Sequence, residues 1–539
     1  MCLERNLAAL ATRQPELVER LRPVPYVITE AAVSGEPSAS IELPGGVRRL
    51  HSGFAPGREA QLQVGAIDPT QAVWLVGLGL GYLADALLAR GVPGLLVTEP
   101  RPSLLKTALA LFDFERPLAE GRLRICQDER DDDAVLAPLP AQRFVHPALA
   151  DVYDDRANRA RFEAHRKGAR GTVLMMYGKL FVADLAELFE VEGWAVRIVR
   201  PAGLDVARFD ALVDETEPRC LFTVNFSPEL AFLASRRGLT YLSWTIDPLP
   251  PSRLRLLPGT DPARCVAFAH REAIVQSLHE AGLPRCALMP LAASPSRRPA
   301  ERDLDRYRCS VSFVGSSLVV EDRDLLRRLE DLEAPPQLTS RVETWLDAVF
   351  AARGCDLTFE GITPSELPDF LREALPEADP VELADRANGA LSHRLRMHRI
   401  GALADLAIDV YGDDGWEPMS TRYRGRAHHG QELTTIYTAS GANLDVPRIY
   451  QRDIVTMRVF DVMRCRGVVL AEKSPALSAL FDDAHLLTYS DDASMRAQVQ
   501  RLRNDPNLGA TIGEAARRHI EAHHTMRHRL ATLLEALEA

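Results

Sequence analysis

Short apolar runs alternate with amphipathic segments along most of the chain, which predicts strands alternating with helices. Leucines at helical spacing open the sequence, namely Leu7, Leu10, Leu17 and Leu21. A β-like region follows around residues 41–50. Beyond it, residues 73–76 predict a buried strand, 77–81 a turn, 83–90 a helix and 95–98 a second strand. This order is that of a β-α-β unit.

A second α/β series follows the charged stretch at residues 151–170. Its predicted strands are residues 172–176, 195–199, 220–224, 239–244 and 266–269. Because strands that alternate with helices form parallel sheets covered on both faces, we expect such a sheet here. The Pro- and Arg-rich segment 294–302 predicts a linker after it.

A third α/β series begins with a predicted strand at residues 309–314. A mostly helical insertion, roughly residues 323–407, separates this strand from the next ones, which we place at 407–411 and 467–471. The tail from about residue 492 has helical periodicity.

The chain has 539 residues, which is more than one hydrophobic core organises. We therefore expect an α/β fold with several domains. A Rossmann-like accessory domain is predicted at residues 1–165, two further Rossmann-like domains at 166–300 and 301–490, and C-terminal helices at 491–539.

Charge and cysteine usage narrow the functional classes. The net charge of −11 argues against a general nucleic-acid binder, which needs a basic face. The first residues lack the pattern of a secretory signal, and the most apolar stretch, 73–84, is too short to span a bilayer. Eight cysteines lie singly, with no CxxC pair, so we expect reduced thiols in a cytoplasmic protein and no structural zinc.

The most informative candidate chemistry lies in residues 453–467, where a predicted helix leads through a glycine turn into a buried strand. Ligands bind at the carboxyl edge of such sheets, and helix N-termini favour phosphate. A helix beginning near Asp453 would place Asp453 and Asp461 on one side, about two turns apart. Arg458 would then neutralise a diphosphate. A helix with a solvated acidic face and an N-terminal aspartate cap has the same spacing.

The ordered motifs of residues 170–530 resemble the spore-maturation (CgeB-like) glycosyltransferases. The motifs are Trp244-Thr-Ile-Asp247-Pro248, Met289-Pro-Leu-Ala-Ala293, Val311-Ser-Phe-Val-Gly315-Ser316, Arg458-Val-Phe-Asp461, Gly467-Val-Val-Leu470, Leu480-Phe-Asp-Asp483, Leu487-Thr-Tyr489, Ile512-Gly-Glu-Ala-Ala-Arg517 and His524-Thr-Met-Arg-His-Arg529.

This resemblance implies a GT-B fold, in which two Rossmann-like domains face each other across a cleft. It also implies a nucleotide-sugar donor as co-substrate, a hydroxyl acceptor, no cofactor and no catalytic metal. Asp453 and Asp461 stand where the wider retaining group has two glutamates, each one methylene shorter. Asp453 is therefore a catalytic candidate, and Asp461 is a donor-binding candidate expected to contact the ribose. Family members also usually have a small residue where this chain has Arg466. Five further donor-binding candidates are Gly315, Ser316, Arg458, Lys473 and Lys179.

Two residues of the second α/β series are candidates for the acceptor side of the cleft. Asp247 follows a predicted strand, where a carboxylate can act as general base on an acceptor hydroxyl. Lys179 follows Gly178 at the end of another strand, where it can contact a donor phosphate or the acceptor. The alternatives are an Asp-Pro turn and an exposed lysine on a strand-to-helix turn.

The N-terminal domain carries a glycine loop of its own. Gly77, Gly79 and Gly81 follow a strand, and Glu99 ends the next one. This is the arrangement by which Rossmann-like folds hold a ribose and a nucleotide or adenosylmethionine. Leu75 stands where methyltransferases usually have an acid, so a tight scaffolding turn is the alternative.

The first 110 residues also resemble the start of motility-associated proteins of flagellin glycosylation. The motifs are Asn6-Leu-Ala-Ala-Leu10, Pro15-Glu-Leu17, Gly77-Leu-Gly-Leu-Gly-Tyr82 and Thr98-Glu-Pro100. This resemblance implies a protein acceptor such as flagellin.

Three hypotheses therefore stand. The first is transfer of a sugar from a nucleotide-sugar to a hydroxyl, the second is methyl transfer by the N-terminal domain, and the third is a non-catalytic scaffold with a GT-B shape.

We predict metal-independent sugar transfer, because no Asp-x-Asp stands at a predicted strand end of residues 166–490. Transfer assays with and without excess chelator test this, and equal rates are expected. A loss of activity that added divalent metal reverses would contradict it.

Overall fold

The computed structural model describes residues 2–43, 46–126, 142–149, 158–159, 161–178, 180–201, 204–247, 249, 251–331, 336–419, 422–427 and 430–538. The chain forms two compact units. The first comprises residues 1–177 and 193–208, and the second comprises residues 178–192 and 209–539.

The strands of the described residues, in chain order, are β1 (Glu30–Ala31), β2 (Pro37–Ser38), β3 (Ser40–Leu43), β4 (Gly46–Arg49), β5 (Val73–Val76), β6 (Leu95–Thr98), β7 (Leu123–Cys126), β8 (Gln142–Val145), β9 (Thr172–Met176), β10 (Ala195–Val199), β11 (Cys220–Val224), β12 (Thr240–Thr245), β13 (Cys265–Ala269), β14 (Arg285–Leu288), β15 (Cys309–Val314), β16 (Ile408–Tyr411), β17 (Ser440–Asp445), β18 (Val469–Glu472) and β19 (Leu487–Tyr489).

The helices are α1 (Cys2–Ala11), α2 (Pro15–Leu21), α3 (Pro56–Gln63), α4 (Tyr82–Ala89), α5 (Pro102–Leu111), α6 (Glu115–Ala119), α7 (Val182–Val191), α8 (Val206–Thr216), α9 (Pro228–Arg236), α10 (Glu272–Glu280), α11 (Leu304–Tyr307), α12 (Val319–Asp331), α13 (Pro336–Val349), α14 (Asp369–Ala374), α15 (Pro380–Gly401), α16 (Gln431–Ala439), α17 (Met457–Arg464), α18 (Pro475–Leu480), α19 (Asp492–Asn504), α20 (Pro506–His523) and α21 (Met526–Glu538).

The first unit contains a four-stranded parallel sheet in the order β7-β6-β5-β8. The predicted β-α-β unit is its centre, and β7 and β8 are strands that the sequence pattern did not indicate. Every residue of β5 and β6 is buried, as a parallel sheet covered on both faces requires. The periodic leucines of α1 and α2 pack into the same core. The β-like region at residues 41–50 is the antiparallel pair β3 and β4, and β9 and β10 pair in parallel.

The side chain of Glu99 accepts hydrogen bonds from amides of the glycine loop (residues 77–81) of this unit. Its side chain is buried, and Oε2 accepts hydrogen bonds from the amides of Leu78 (2.8 Å) and Gly79 (3.3 Å). Its Oε1 accepts from the Arg101 amide at 3.0 Å. Gly79 has a φ of +57°, and a Cβ there would lie 2.5 Å from His146 Nε2. Glu99 thus satisfies amides of this loop within the protein itself, and the ribose-binding role expected of Glu99 stays a prediction.

The second unit contains two parallel sheet regions. In one, β11, β12, β13 and β14 lie side by side in chain order. The other is a five-stranded sheet in the order β16-β15-β17-β18-β19, whose direction of winding reverses at β15. The predicted insertion is observed as helices α12 to α15, with α12 packed on α15. The predicted parallel, Rossmann-like α/β fold is therefore confirmed.

One predicted boundary is wrong. The helix expected to begin near Asp453 begins at Met457, after a 3₁₀ turn at Ile449–Gln451. Thr456 is extended, with φ −70° and ψ 154°, so the helical backbone stops there. Asp453 lies in the turn between this 3₁₀ segment and α17. Asp453 and Asp461 therefore do not share a helix.

No described helix is long and apolar enough to cross a membrane. None of the eight cysteines, all of which lie in the described residues, forms a disulfide. The predicted domain boundaries at residues 165, 300 and 490 stay a prediction, and part of the charged stretch 151–170 lies outside the described residues.

We predict that Glu99→Ala destabilises the protein, because the substitution leaves buried amides of the glycine loop without their acceptor. Each unsatisfied amide costs about 1–3 kcal/mol. Urea unfolding of the full chain measures this, with the exposed Glu42→Ala as the matched control. Equal stability of the two variants would contradict the assignment.

Candidate functional site

The carboxyl ends of β15, β16 and β17 meet where the winding of the five-stranded sheet reverses. Gly315 follows β15 and Gly412 follows β16. A Cβ on Gly412 would lie 2.2 Å from the Gly315 carbonyl oxygen, and a Cβ on Gly315 would lie 2.8 Å from the Arg458 guanidinium. Only glycine permits this close approach. Such a reversal point is where open α/β sheets bind ligands.

A cavity of about 640 Å³ opens at this edge, and we call it the first cavity. Four arginines line it, namely Arg297, Arg396, Arg426 and Arg458. Gly315, Ser316 and Asp461 line it as well. Of the residues predicted to bind a donor, the structure therefore brings together Gly315, Ser316, Arg458 and Asp461.

Arg396 is buried beneath the first cavity. Its guanidinium donates to the carbonyls of Ser316 (2.7 Å) and Val446 (3.3 Å), while its buried Nε has no hydrogen-bond partner in the described part of the chain. Burial and then the nearby Arg458 lower the pKa of Arg396 to about 9. Burial thus disfavours the charged form of the Arg396 guanidinium, and an anionic ligand in the cavity would stabilise it.

Arg458 extends from the first turn of α17 towards the sheet. Its Nε donates to the Val314 carbonyl at 3.0 Å, and its guanidinium is paired with Asp445. Thr456, just before the helix, donates to the same carboxylate at 2.9 Å. These contacts fix the guanidinium at the edge where an anion would approach the helix N-terminus.

Asp461 forms an ion pair and a hydrogen bond with the linker, residues 294–302, that precedes β15. Its Oδ2 pairs with Arg297 Nε at 3.0 Å, and its Oδ1 accepts from the Ser294 amide at 3.0 Å. Both side chains of the pair are more than 90% buried, at 8% and 4% exposure. Burial raises the pKa of Asp461, and the Arg297 guanidinium opposes that shift. Both oxygens of Asp461 thus have protein partners, and the ribose contact expected of Asp461 stays a prediction.

Asp453 lies in a different cavity, of about 310 Å³, which we call the second cavity. Its Oδ2 pairs with Arg271 Nε at 2.8 Å, and its buried Oδ1 has no partner among the described residues. His270 lines the same cavity and donates from Nδ1 to the Thr245 carbonyl at 3.0 Å, because a carbonyl only accepts. In the neutral ring, Nε2 therefore carries no hydrogen and can only accept a hydrogen bond. This atom is buried and has no hydrogen-bond partner among the described residues.

His270 interacts electrostatically with both predicted catalytic aspartates, Asp453 and Asp247. Burial lowers its pKa, the Thr245 hydrogen bond opposes this, and Asp453 and Asp247 also raise it. Asp247 is exposed and held by Asn225, whose Nδ2 donates to it at 2.7 Å. The neutral form of His270 is thus favoured near neutral pH, which suits a proton acceptor.

Lys473, a predicted donor contact, does not line the first cavity with Gly315, Ser316 and Arg458. Lys473 is exposed and lines a separate small cavity with Asp445 and Arg452. Lys179 lies outside the described residues.

A buried ion network fixes the loop between the two cavities. Arg452 donates to Glu472 (3.1 Å) and to the carbonyls of Phe359 and Gly354 in the insertion, both at 3.0 Å. Arg399 of α15 pairs with the same Glu472 at 3.0 Å. One carboxylate at the end of β18 therefore joins the insertion to the loop that bears Asp453.

Arg466 takes the left-handed conformation that ends α17, with φ +63°. The amides of Arg466 and Gly467 close the helix on Met463 and Val462 carbonyls. Glycine, which has no Cβ, adopts this conformation most easily. Gly467 itself has no room for a Cβ, which would lie 2.4 Å from the Tyr437 carbonyl oxygen.

The sequence interpretation missed His270, Arg297, Arg396 and Arg426. His270 directly follows β13, just as Asp247 closely follows β12, so its place at a strand end was an available signal. Arg297 lies in the predicted linker, while Arg396 lies inside the predicted insertion. Neither belongs to a motif.

Residues 386–535 match the family model described as glycosyl transferase-like. This segment includes Asp453, Arg458 and Asp461, and the match supports a glycosyltransferase activity. It covers less than half of the chain. No curated protein matches.

Among solved structures, the chain is similar to sucrose-phosphate synthase from Thermosynechococcus elongatus, with 13% identity, 68% of this chain and 98% of that chain covered, and a TM-score of 0.40. It is similar to HepE from Anabaena in complex with UDP and glucose, with 11% identity, 69% and 100% covered, and a TM-score of 0.38. It is also similar to the MAf glycosyltransferase from Magnetospirillum magneticum, with 16% identity, 55% and 66% covered, and a TM-score of 0.20. Because these TM-scores are below 0.5, no residue role is taken from them.

We predict that Asp461→Asn lowers the free energy of unfolding by about 3–5 kcal/mol, because it leaves the buried Arg297 guanidinium without its counter-charge. The double variant Arg297→Met/Asp461→Leu removes both charges and should recover most of this loss. Urea unfolding of the parent, the single variants Arg297→Met and Asp461→Leu, and the double variant gives the coupling. A double variant as unstable as the sum of the single ones would show that the pair is not coupled.

Proposed function

We propose that this protein transfers a sugar from a nucleotide-sugar to a hydroxyl acceptor, with the nucleotide diphosphate in the first cavity. The observation that carries the proposal is the set of four guanidiniums at the point where the sheet reverses, beside glycines that leave room for a ligand. Arginine recognises phosphate through several directed hydrogen bonds. The match of residues 386–535 to a glycosyl transferase-like model supports the same class.

Arg396 and Arg458 are the proposed diphosphate contacts, since both are fixed by carbonyl acceptors and lie at the strand ends. In the reaction, the bond between the sugar C1 and the diphosphate oxygen breaks, and C1 forms a bond to the acceptor oxygen. Negative charge develops on the leaving diphosphate, and preorganised guanidiniums stabilise it. His270 Nε2 is the proposed proton acceptor for the hydroxyl, with Asp453 and Asp247 favouring the imidazolium that forms.

Four finer points belong to the proposal and rest on the sequence resemblance. They are the GT-B arrangement of the two later Rossmann-like domains, membership of the CgeB-like family, metal independence and a protein acceptor such as flagellin. Methyl transfer is not proposed, because Glu99 already uses the amides of the N-terminal glycine loop.

We predict that Arg426→Ala weakens binding of a nucleoside diphosphate by about 1.5–3 kcal/mol, the range for a hydrogen bond to a charged group. Arg426 is exposed at the rim of the first cavity, so folding should be unaffected. The matched control is Arg298→Ala, an exposed arginine that does not line that cavity. Isothermal titration with UDP, dTDP and GDP provides the affinities. If both variants bind the preferred nucleotide as the parent does, the first cavity is not the diphosphate site.

A further inference from the structure

The second cavity has mainly aliphatic walls. Its apolar lining consists of Leu288, Pro290, Leu291, Leu357, Ile454, Val455, Pro475, Ala476, Ala479 and Leu480. A volume of about 310 Å³ is at the lower end of the range for small-molecule sites. The cavity therefore suits a compact ligand with a substantial apolar surface.

Two buried hydrogen-bond acceptors have no partners among the described residues that line this cavity. They are Nε2 of His270, whose side chain is 6% exposed, and Oδ1 of Asp453. An acceptor left unsatisfied in a buried place costs free energy. A ligand that donates hydrogen bonds at one end and presents carbon elsewhere would satisfy both the acceptors and the aliphatic walls.

The second cavity adjoins the proposed nucleotide site through one loop. Gln451, Thr456 and Met457 line the first cavity, whereas Arg452, Asp453, Ile454 and Val455 line the second. Arg452 is held by Glu472 and by insertion carbonyls, so this loop is fixed in place as a lining that both cavities share. A ligand with its diphosphate in the first cavity has the second cavity as the neighbouring site for the group it carries.

We propose that the second cavity holds the transferred sugar and selects a 6-deoxy sugar over the corresponding hexose. This inference rests on the proposed function. A ring hydroxyl of the sugar donates to Asp453 Oδ1 and the acceptor hydroxyl donates to His270 Nε2, while the exocyclic methyl group lies against the aliphatic wall. The hydroxymethyl group of a hexose would lose its hydrogen bonds to water there and find carbon instead. Glu272 and Glu360 also line the cavity, but both are exposed at its mouth, where water reaches them. Ser474 lines it too, and its hydroxyl oxygen already accepts from the Leu477 amide at 3.1 Å as the cap of α18.

Isothermal titration of the full chain tests this with UDP, dTDP and GDP, and with the hexose conjugate of each and its 6-deoxy counterpart. For the base that binds, the 6-deoxy conjugate should bind about 10–100-fold more tightly, the discrimination that an apolar pocket achieves against an added hydroxyl. Equal affinities, or tighter binding of the hexose, would overturn the inference while the proposed function stands. If no nucleotide and no conjugate binds, the proposed function fails and the inference with it.

The variant Ala476→Ser adds a hydroxyl to the wall of the second cavity and should narrow the preference for the 6-deoxy conjugate. Its control is Ala493→Ser, an exposed position in α19 that lines neither cavity. Nucleotide affinity should be the same in both variants, so the change is confined to the sugar. An unchanged sugar preference in Ala476→Ser would contradict the assignment of this wall.

Discussion

The ion network centred on Glu472 is the constraint on which the second unit most depends. Glu472 ends β18, and its carboxylate holds Arg452 on one side and Arg399 on the other, all three side chains being 4% exposed or less. Buried charges are tolerated only when each is paired and hydrogen-bonded, and here the insertion carbonyls complete the shell of Arg452. The network therefore decides where the loop 451–457 lies, and this loop is a wall of both cavities.

The two cavities differ in the chemical character of the residues that line them. The first gathers cations around glycines, which favours a phosphate group. The second combines aliphatic walls with two acceptors that have no hydrogen-bond partner in the described part of the chain. Asp461, which the motif places at the centre of the site, instead ties the linker to α17 through Arg297 and Ser294. Asp461 therefore holds Arg297 at the first cavity, whereas Asp453 lines the second cavity.

The sequence was sufficient for most of the strands and for the parallel α/β class, because buried parallel strands are short and continuously apolar. It was also sufficient to bring Gly315, Ser316 and Arg458 to one cavity, since each lies at a strand end or helix start. It failed where a partner is distant in sequence. The Arg297–Asp461 pair joins residues 164 positions apart, and a linker arginine carries no local signal of such a partner. The expected helix at Asp453 failed because aspartate spacing does not reveal the extended Thr456.

The contacts of Arg452 also bear on local unfolding. Its guanidinium is shared between the loop 451–457 and the carbonyls of the insertion, so neither can open without exposing the same buried charge. Segments linked in this way exchange their amide hydrogens together, as one foldon. The helical insertion therefore does not unfold independently of the loop 451–457. If the insertion opened, this loop, which lines both cavities, would be displaced as well.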